Sequence, residues 1–223
     1  MIEGLHGEGP MAGIFARWHT PRPGIFAGRP AFFMDRDGVI VEEKNYLHSP
    51  EDISLIPGIG AALLKLNRAG IPVIIVTNQA GIGRGYYGWD QFVAVQDHIY
   101  QRLGREGAHV DACVACPFHP EAREPYISAD HYFRKPNPGM ILWPAEACAL
   151  DLKRSWIAGD NLSDLQAGER AGLGGLAHVL TGHGMSIRSA VIEWAGDSQL
   201  FRQFPDACST VEAFLKGLSI PAD

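Results

Sequence analysis

The sequence predicts an α/β domain built on a doubly wound, mostly parallel sheet. Three observations predict it. The short runs "AFFM" (31–34), "IPVIIVT" (71–77) and "SWIAG" (155–159) are apolar and β-rich without polar alternation, as strands buried on both faces are. Segments with helical apolar spacing lie between these runs. Each run then breaks into a polar cluster at its carboxyl end.

Along the chain, residues 1–29, including "TPRPGIFAGRP", are rich in Gly and Pro with no period. They read as an irregular leader lying on the domain rather than a domain of their own. Residues 30–223 read as one domain. After its first strand, "IGAALLKLNRAG" sets Leu63, Leu64 and Leu66 on an apolar helix face and stops at Gly70. "WDQFVAVQDHIYQRLGREG" predicts a longer helix, with Asp90 as N-cap and Phe92, Val95, Ile99 and Leu103 at helical spacing. "HVDACVA" reads as a strand, and residues 111–135 as an insertion loop containing Cys, His and Pro. "NLSDLQAGERAG" is a shorter helix, "LAHVLTG" (176–182) a fourth core strand, and "TVEAFLKGL" a closing helix. This alternation is Rossmann-like.

Composition excludes classes without naming a function. A chain of 223 residues with 46% hydrophobic and 20% charged residues can build a large core. No apolar stretch approaches the roughly 20 residues that span a bilayer, and no basic-then-apolar N-terminal segment marks a secretory signal. Four cysteines do not suggest a disulfide framework, so a reducing cytoplasm is the expected compartment. A net charge of -6 argues against a broad nucleic-acid surface and leaves room for a local basic pocket.

The polar clusters carry the chemistry. "FFM" runs into Asp35-Arg36-Asp37-Gly38, "VIIV" into Thr77-Asn78-Gln79, and "WIA" into Gly159-Asp160. Open α/β sheets bind ligands outside the carboxyl ends of their strands, so the three clusters are expected to converge on one crevice. Two acids and a third from another strand can be neutralised by one hard divalent cation, and Mg²⁺ suits carboxylates plus a phosphate oxygen. Lys135 in "FRKPNPG" supplies a point charge, and Thr77 with Asn78 neutral donors. This set suits phosphoryl transfer to an aspartate: Asp35 attacks phosphorus, and Asp37, on the same side of an extended segment, moves the proton.

These residues resemble the haloacid dehalogenase (HAD) superfamily. "DRDGV", Thr77, Lys135 and "GDNLSD" (159–164) look like its four motifs in order. "TNQAGIGRG" and "RKPNPGM" are similar to its heptose 1,7-bisphosphate 7-phosphatase and histidinol phosphatase branch, over about residues 31–184. The resemblance implies that Asp35, the main-chain carbonyl of Asp37, and Asp160 hold Mg²⁺. It implies that Thr77 and Lys135 stabilise the phosphoryl group. It assigns substrate recognition to Arg36, Arg134, the segment Glu43, Lys44, Asn45 and Tyr46, and the stretch Asn78, Gln79 and Ala80. A small phosphorylated metabolite is the expected partner, handled by a monomer or small homo-oligomer, with no large cap domain.

The family's zinc pattern is broken here. Zinc-bearing members carry Cys-x-His and then Cys-x-Cys before Arg-Lys-Pro, whereas this chain reads Cys116-Pro117-Phe118-His119 and His131-Tyr132-Phe133. A tetrad of Cys113, Cys116, His119 and His131 has the residue types for zinc; the competing reading is a loop held by Phe118, Tyr132 and Phe133. Asp164 reads equally as a helix-terminal charge or a metal-site residue, and His48, His178 and His183 are assigned no chemistry. Histidinol phosphate is the rival substrate, and a non-catalytic binding protein on the same fold the rival class. A polynucleotide 3′-phosphatase would need a basic groove that the charge does not support.

Overall fold

A computed structural model describes residues 2–20 and 23–218. Met1, Pro21 and Arg22 of the leader, and residues 219–223 of the domain, lie outside the described residues. Among the described residues seven strands form one sheet: β1 (Phe15–Trp18), β2 (Phe32–Met34), β3 (Val73–Asn78), β4 (Ala112–Cys116), β5 (Trp156–Gly159), β6 (Gly175–Val179) and β7 (Phe201–Phe204). The helices are α1 (Ile59–Arg68), α2 (Ala80–Gly83), α3 (Trp89–Arg105), α4 (Gly139–Cys148), α5 (Leu162–Ala171), α6 (Gly184–Ala195) and α7 (Ala207–Gly217).

The strand order is β1-β4-β3-β2-β5-β6-β7, parallel throughout except for β1 against β4. From β2 the chain winds outward through β3 and β4, then returns to β5 and winds the other way through β6 and β7. This is the doubly wound, Rossmann-like sheet that the sequence predicts. Its switch point lies between β2 and β5, where such sheets open a crevice.

Both sheet faces are covered, which is why the strands read as unbroken apolar runs. One core layer packs Leu63 and Leu66 of α1, Phe92 and Ile99 of α3 and Phe214 of α7 against Phe32 and Met34. The other packs Met140 of α4, Leu165 of α5 and Val191 of α6 with Phe33. Alternate residues of β2 thus enter opposite layers, as strand geometry requires.

The leader departs from expectation. Its residues 15–18 form β1 and pair in register with Trp18 opposite Ala112 and Phe15 opposite Ala115. Phe15 is buried against Trp89 and Phe92, with ring centroids 5.9 and 5.2 Å away. Burial of such a ring contributes roughly 1.5–3 kcal/mol, enough to hold a short edge strand among Gly and Pro. Helix α3 also starts earlier than expected. Gly88 is its N-cap, its N–H donating to the Gln91 side chain at 2.9 Å, while Asp90 sits in the first turn. Strand β7 and helices α4 and α6 were not anticipated; Pro144 inside α4 masks its period.

Candidate active site

Four side chains, from two strand ends, one helix start and one loop, meet at the switch point. Asp35 follows β2, with its N–H bonded to the Ala158 carbonyl of β5 at 3.0 Å. Asp160 follows β5, and Asp164 lies in the first turn of α5. One oxygen from each of these three lies within 4.8 Å of the others. Lys135 reaches in from the loop before α4 and is 2% exposed, with Nζ 3.1 Å from Asp35, 2.5 Å from Asp164 and 2.8 Å from the Val76 carbonyl. Asn78 fixes that loop through reciprocal 3.1 Å bonds with the main chain of Lys135.

The electrostatics follow from crowding. Burial pushes the Asp35 carboxyl up; Lys135 opposes the rise, and Asp164 and Asp37 add to it. Burial, then Asp35 and Asp164, push Asp160 up in the same way. Burial works against the Lys135 ammonium, but Asp164 and Asp35 outweigh it and raise its pKa. One lysine among three clustered carboxylates leaves the group under-neutralised.

Asp37 stands beside this group rather than in it. Both its oxygens accept from Arg36 Nε and Nη2 at 2.9–3.2 Å, and Oδ2 also accepts from Gln79 Nε2 at 3.0 Å. Arg36, expected to bind substrate, lines the cleft, but its side chain is 1% exposed, with the guanidinium over the Phe92 ring. Thr77 is also buried, and its hydroxyl accepts from Gln79 Nε2 at 2.9 Å, one layer below the cleft wall.

The cleft above has a volume of about 590 Å³. Of the other expected substrate residues, Glu43, Asn45, Tyr46, Asn78, Gln79, Ala80 and Arg134 line it. Lys44 does not; it is exposed and paired with Glu42 at 3.2 Å. Arg134 Nη1 donates to the Phe118 carbonyl at 2.8 Å. Arg84 holds Tyr46 by its hydroxyl at 2.7 Å.

Comparison with known proteins decides the family. A family model described as HAD-hydrolase-like matches residues 132–195. A D-glycero-beta-D-manno-heptose-1,7-bisphosphate 7-phosphatase of Mesorhizobium japonicum is 49% identical over 65% of this chain and 66% of its own length. A D-glycero-alpha-D-manno-heptose-1,7-bisphosphate 7-phosphatase of Photorhabdus laumondii is 42% identical over 68% and 82%. The chain belongs to the HAD-like phosphatases. A solved D,D-heptose 1,7-bisphosphate phosphatase from B. bronchiseptica, complexed with magnesium and phosphate, superposes with TM-score 0.72 at 30% identity. That match covers 84% of this chain and 99% of that one.

The HAD-like site fits a hard cation. Its donors are carboxylate oxygens, the excess charge is negative, and Asp160 is pressed against backbone with no room for a side chain. A Cβ on Gly38 or Gly182, at φ +75° and +53°, would come 2.2 or 2.1 Å from Asp160 Oδ2. The side chain of Asp37 is engaged elsewhere, so any ligand atom from it is main-chain.

The zinc tetrad is not assembled. Cys113 and Cys116 lie three apart on β4 and point into opposite core layers; burial pushes both thiols up to about 12. His131 instead stacks on Phe118 with centroids 3.7 Å apart and planes 3° from parallel, and Phe118 meets Tyr126 edge-on. Among the described residues, Asp35, Asp160 and Asp164 form the one His/Cys/Asp/Glu group with metal-binding spacing.

Sequence reasoning missed two contributors. His183, assigned no chemistry, lines the cleft and its N–H donates to Asp160 Oδ2 at 2.7 Å. Its signal was the Thr181-Gly182 turn after a core strand. Tyr87 donates to Gln79 Oε1 and also lines the cleft; nothing local in the sequence marks it.

Proposed function

We propose that the chain is a Mg²⁺-dependent phosphatase of sugar phosphates, with D-glycero-D-manno-heptose 1,7-bisphosphate as substrate, working in the cytoplasm. One observation carries the chemistry: a nucleophile-grade carboxylate, Asp35, shares a buried cluster with Lys135, and a second carboxylate stands two residues on at the cleft. The relatives at 49 and 42% identity are heptose-1,7-bisphosphate 7-phosphatases, which supports the substrate. A cleft of about 590 Å³ has the size of a small-ligand site, and Arg134 at its rim supplies a cation for a second phosphate.

In the first step an Asp35 oxygen attacks phosphorus and the bond to the sugar oxygen breaks, while Asp37 gives that oxygen a proton. In the second, water attacks the aspartyl-phosphate, Asp37 takes a proton from that water, and the Asp35–phosphorus bond breaks. Lys135 neutralises the transferring group at its Nζ. Mg²⁺, which Asp35, Asp160 and the Asp37 carbonyl would hold, would supply charge neutralisation of the phosphate oxygens.

A phosphate-release screen with Mg²⁺ tests the reading, using both heptose bisphosphate anomers, histidinol phosphate and nucleotides. The heptose bisphosphate is expected to give the highest kcat/KM. A higher value for histidinol phosphate or a nucleotide would overturn the substrate assignment.

A further inference from the structure

Alternate residues of an extended segment point opposite ways, so placing Asp35 and Asp37 toward the cleft sends Arg36 into the core. An apolar side chain would fill that space at no electrostatic cost. Instead the chain buries a guanidinium, and a buried ion pair seldom adds net stability over apolar packing. We propose that Arg36 is a positioning residue which, with Gln79, holds the Asp37 carboxyl group in the orientation needed to pass a proton to the leaving oxygen and take one from water. The inference rests on the phosphatase reading above.

The geometry of the hold is over-determined. Arg36 meets both Asp37 oxygens through Nε and Nη2, the two-pronged contact that fixes a carboxylate plane. The guanidinium is itself fixed, with Nη1 3.5 Å from Gln96 Oε1 and its centre 5.4 Å from the Phe92 ring centroid. Gln96 is held in turn by a 2.9 Å bond to the Tyr100 hydroxyl. Gln79 spends both amide hydrogens, one on Asp37 and one on Thr77. Its oxygen accepts from the Tyr87 hydroxyl and from Arg36 Nη2 at 3.3 Å. A flipped amide would set its oxygen against the carboxylate, so the network admits one orientation. Burial pushes the Tyr87 phenol up to about 12, which keeps it a donor. Asp37 keeps 18% of its side chain exposed, against 1% for Arg36.

Leaving-group dependence separates positioning from mere structural support. An alkyl phosphate needs its leaving oxygen protonated, whereas 4-nitrophenyl phosphate releases a stable anion and needs little help. General acid catalysis contributes roughly 10²–10⁴-fold to the first and far less to the second. The experiment measures kcat/KM in Mg²⁺ for both substrates with the full chain, for wild type, Asp37→Asn, Arg36→Lys and Gln79→Leu. The alkyl substrate is heptose 1,7-bisphosphate, or the alkyl phosphate of highest turnover in the screen above. Arg36→Lys keeps the charge and loses the fork.

The expected result is a fall of about 30-fold or more for the alkyl phosphate in Arg36→Lys, with less than about threefold for 4-nitrophenyl phosphate. Gln79→Leu should give the same split, smaller, and Asp37→Asn the same split, larger. A pre-steady-state burst of nitrophenolate should appear in all three, because Asp37 is also needed to activate water. Equal losses on both substrates, or no loss, would overturn the inference. Gln79→Leu decides the matter if Arg36→Lys does not fold. A wild type inert on every phosphate ester would sink the phosphatase reading instead, so the two failures are distinguishable.

Discussion

Arg134 and Lys135 are neighbours in sequence and opposites in circumstance. Lys135 is sealed at the floor of the cleft between Asp35 and Asp164, with a main-chain carbonyl and the Asn78 clasp holding its loop. Arg134 stands at the rim, secured by a bond to the carbonyl of Phe118, a residue whose ring is stacked on His131. The floor is built from opposed charges gathered at the ends of parallel strands and on one loop, and the strand ends cannot shift without moving the sheet. The rim is built from stacked rings in an irregular loop, with Phe133 packed into the core beneath it. On the proposed reading, reaction and selectivity are carried by separable parts: floor substitutions should strike kcat, and rim substitutions KM.

Asp35→Asn is the most severe way to test the floor. The amide fills the same space but cannot attack phosphorus, so turnover should fall at least roughly a thousand-fold, with no aspartyl-phosphate detected by mass spectrometry. Retained turnover would remove the nucleophile and with it the floor's role. Lys135→Met asks whether charge balance also holds the floor together. Removing one partner of a buried ion group costs about 3–5 kcal/mol, so denaturant midpoints should drop sharply along with kcat. A stable, inactive variant would show that the lysine acts on substrate alone.

Phe118→Ala addresses the rim. Loss of the ring that stacks on His131 and meets Tyr126 should loosen the Phe118 carbonyl that Arg134 uses. KM for the bisphosphate should rise about tenfold with kcat within roughly twofold, since about 1.4 kcal/mol is a tenfold change in affinity. A fall in kcat at constant KM would erase the boundary between the two regions.

The same contrast governs what the sequence discloses. Asp35 and Asp160 are legible at the crevice because apolar runs without alternation mark buried parallel strands, and polar groups just past them sit at the crevice edge. Thr77 lies inside β3 below the wall, and Lys135 arrives on a loop that this rule does not place. The period of two that put Asp35 and Asp37 together on the cleft also sends Arg36 inward, a consequence not drawn from the sequence alone. The stack of His131 on Phe118 joins residues thirteen apart through an irregular loop, where no period exists to read. Strand β1 was hidden for another reason. Four residues of edge strand among Gly and Pro are too short to show alternation, and their stability comes from Trp89 and Phe92, far along the chain.

The mildest expected effect concerns the floor's need for a cation. In the metal-free protein burial and mutual repulsion raise Asp35 to about 7 and Asp160 to about 8. Both carboxyls lie near 3.9 in the unfolded chain. The folded state therefore holds protons that the unfolded chain has released. Its stability from these groups is full below about pH 4 and drains away as pH rises through about 7 to 8. A divalent cation replaces those protons, so its benefit must grow over the same window. Thermal midpoints with and without excess Mg²⁺ should differ by a few degrees at pH 8.5, since about 1 kcal/mol moves a domain of this size by roughly 2–4 °C. At pH 5.5, where protons compete for the same oxygens, the difference should shrink toward zero. Asp160→Asn should abolish it at both values while leaving the rim contacts of Arg134 intact. Equal increments at the two pH values would mean that the cation binds away from this carboxylate group, and the floor would then be a structural ion cluster rather than a metal site.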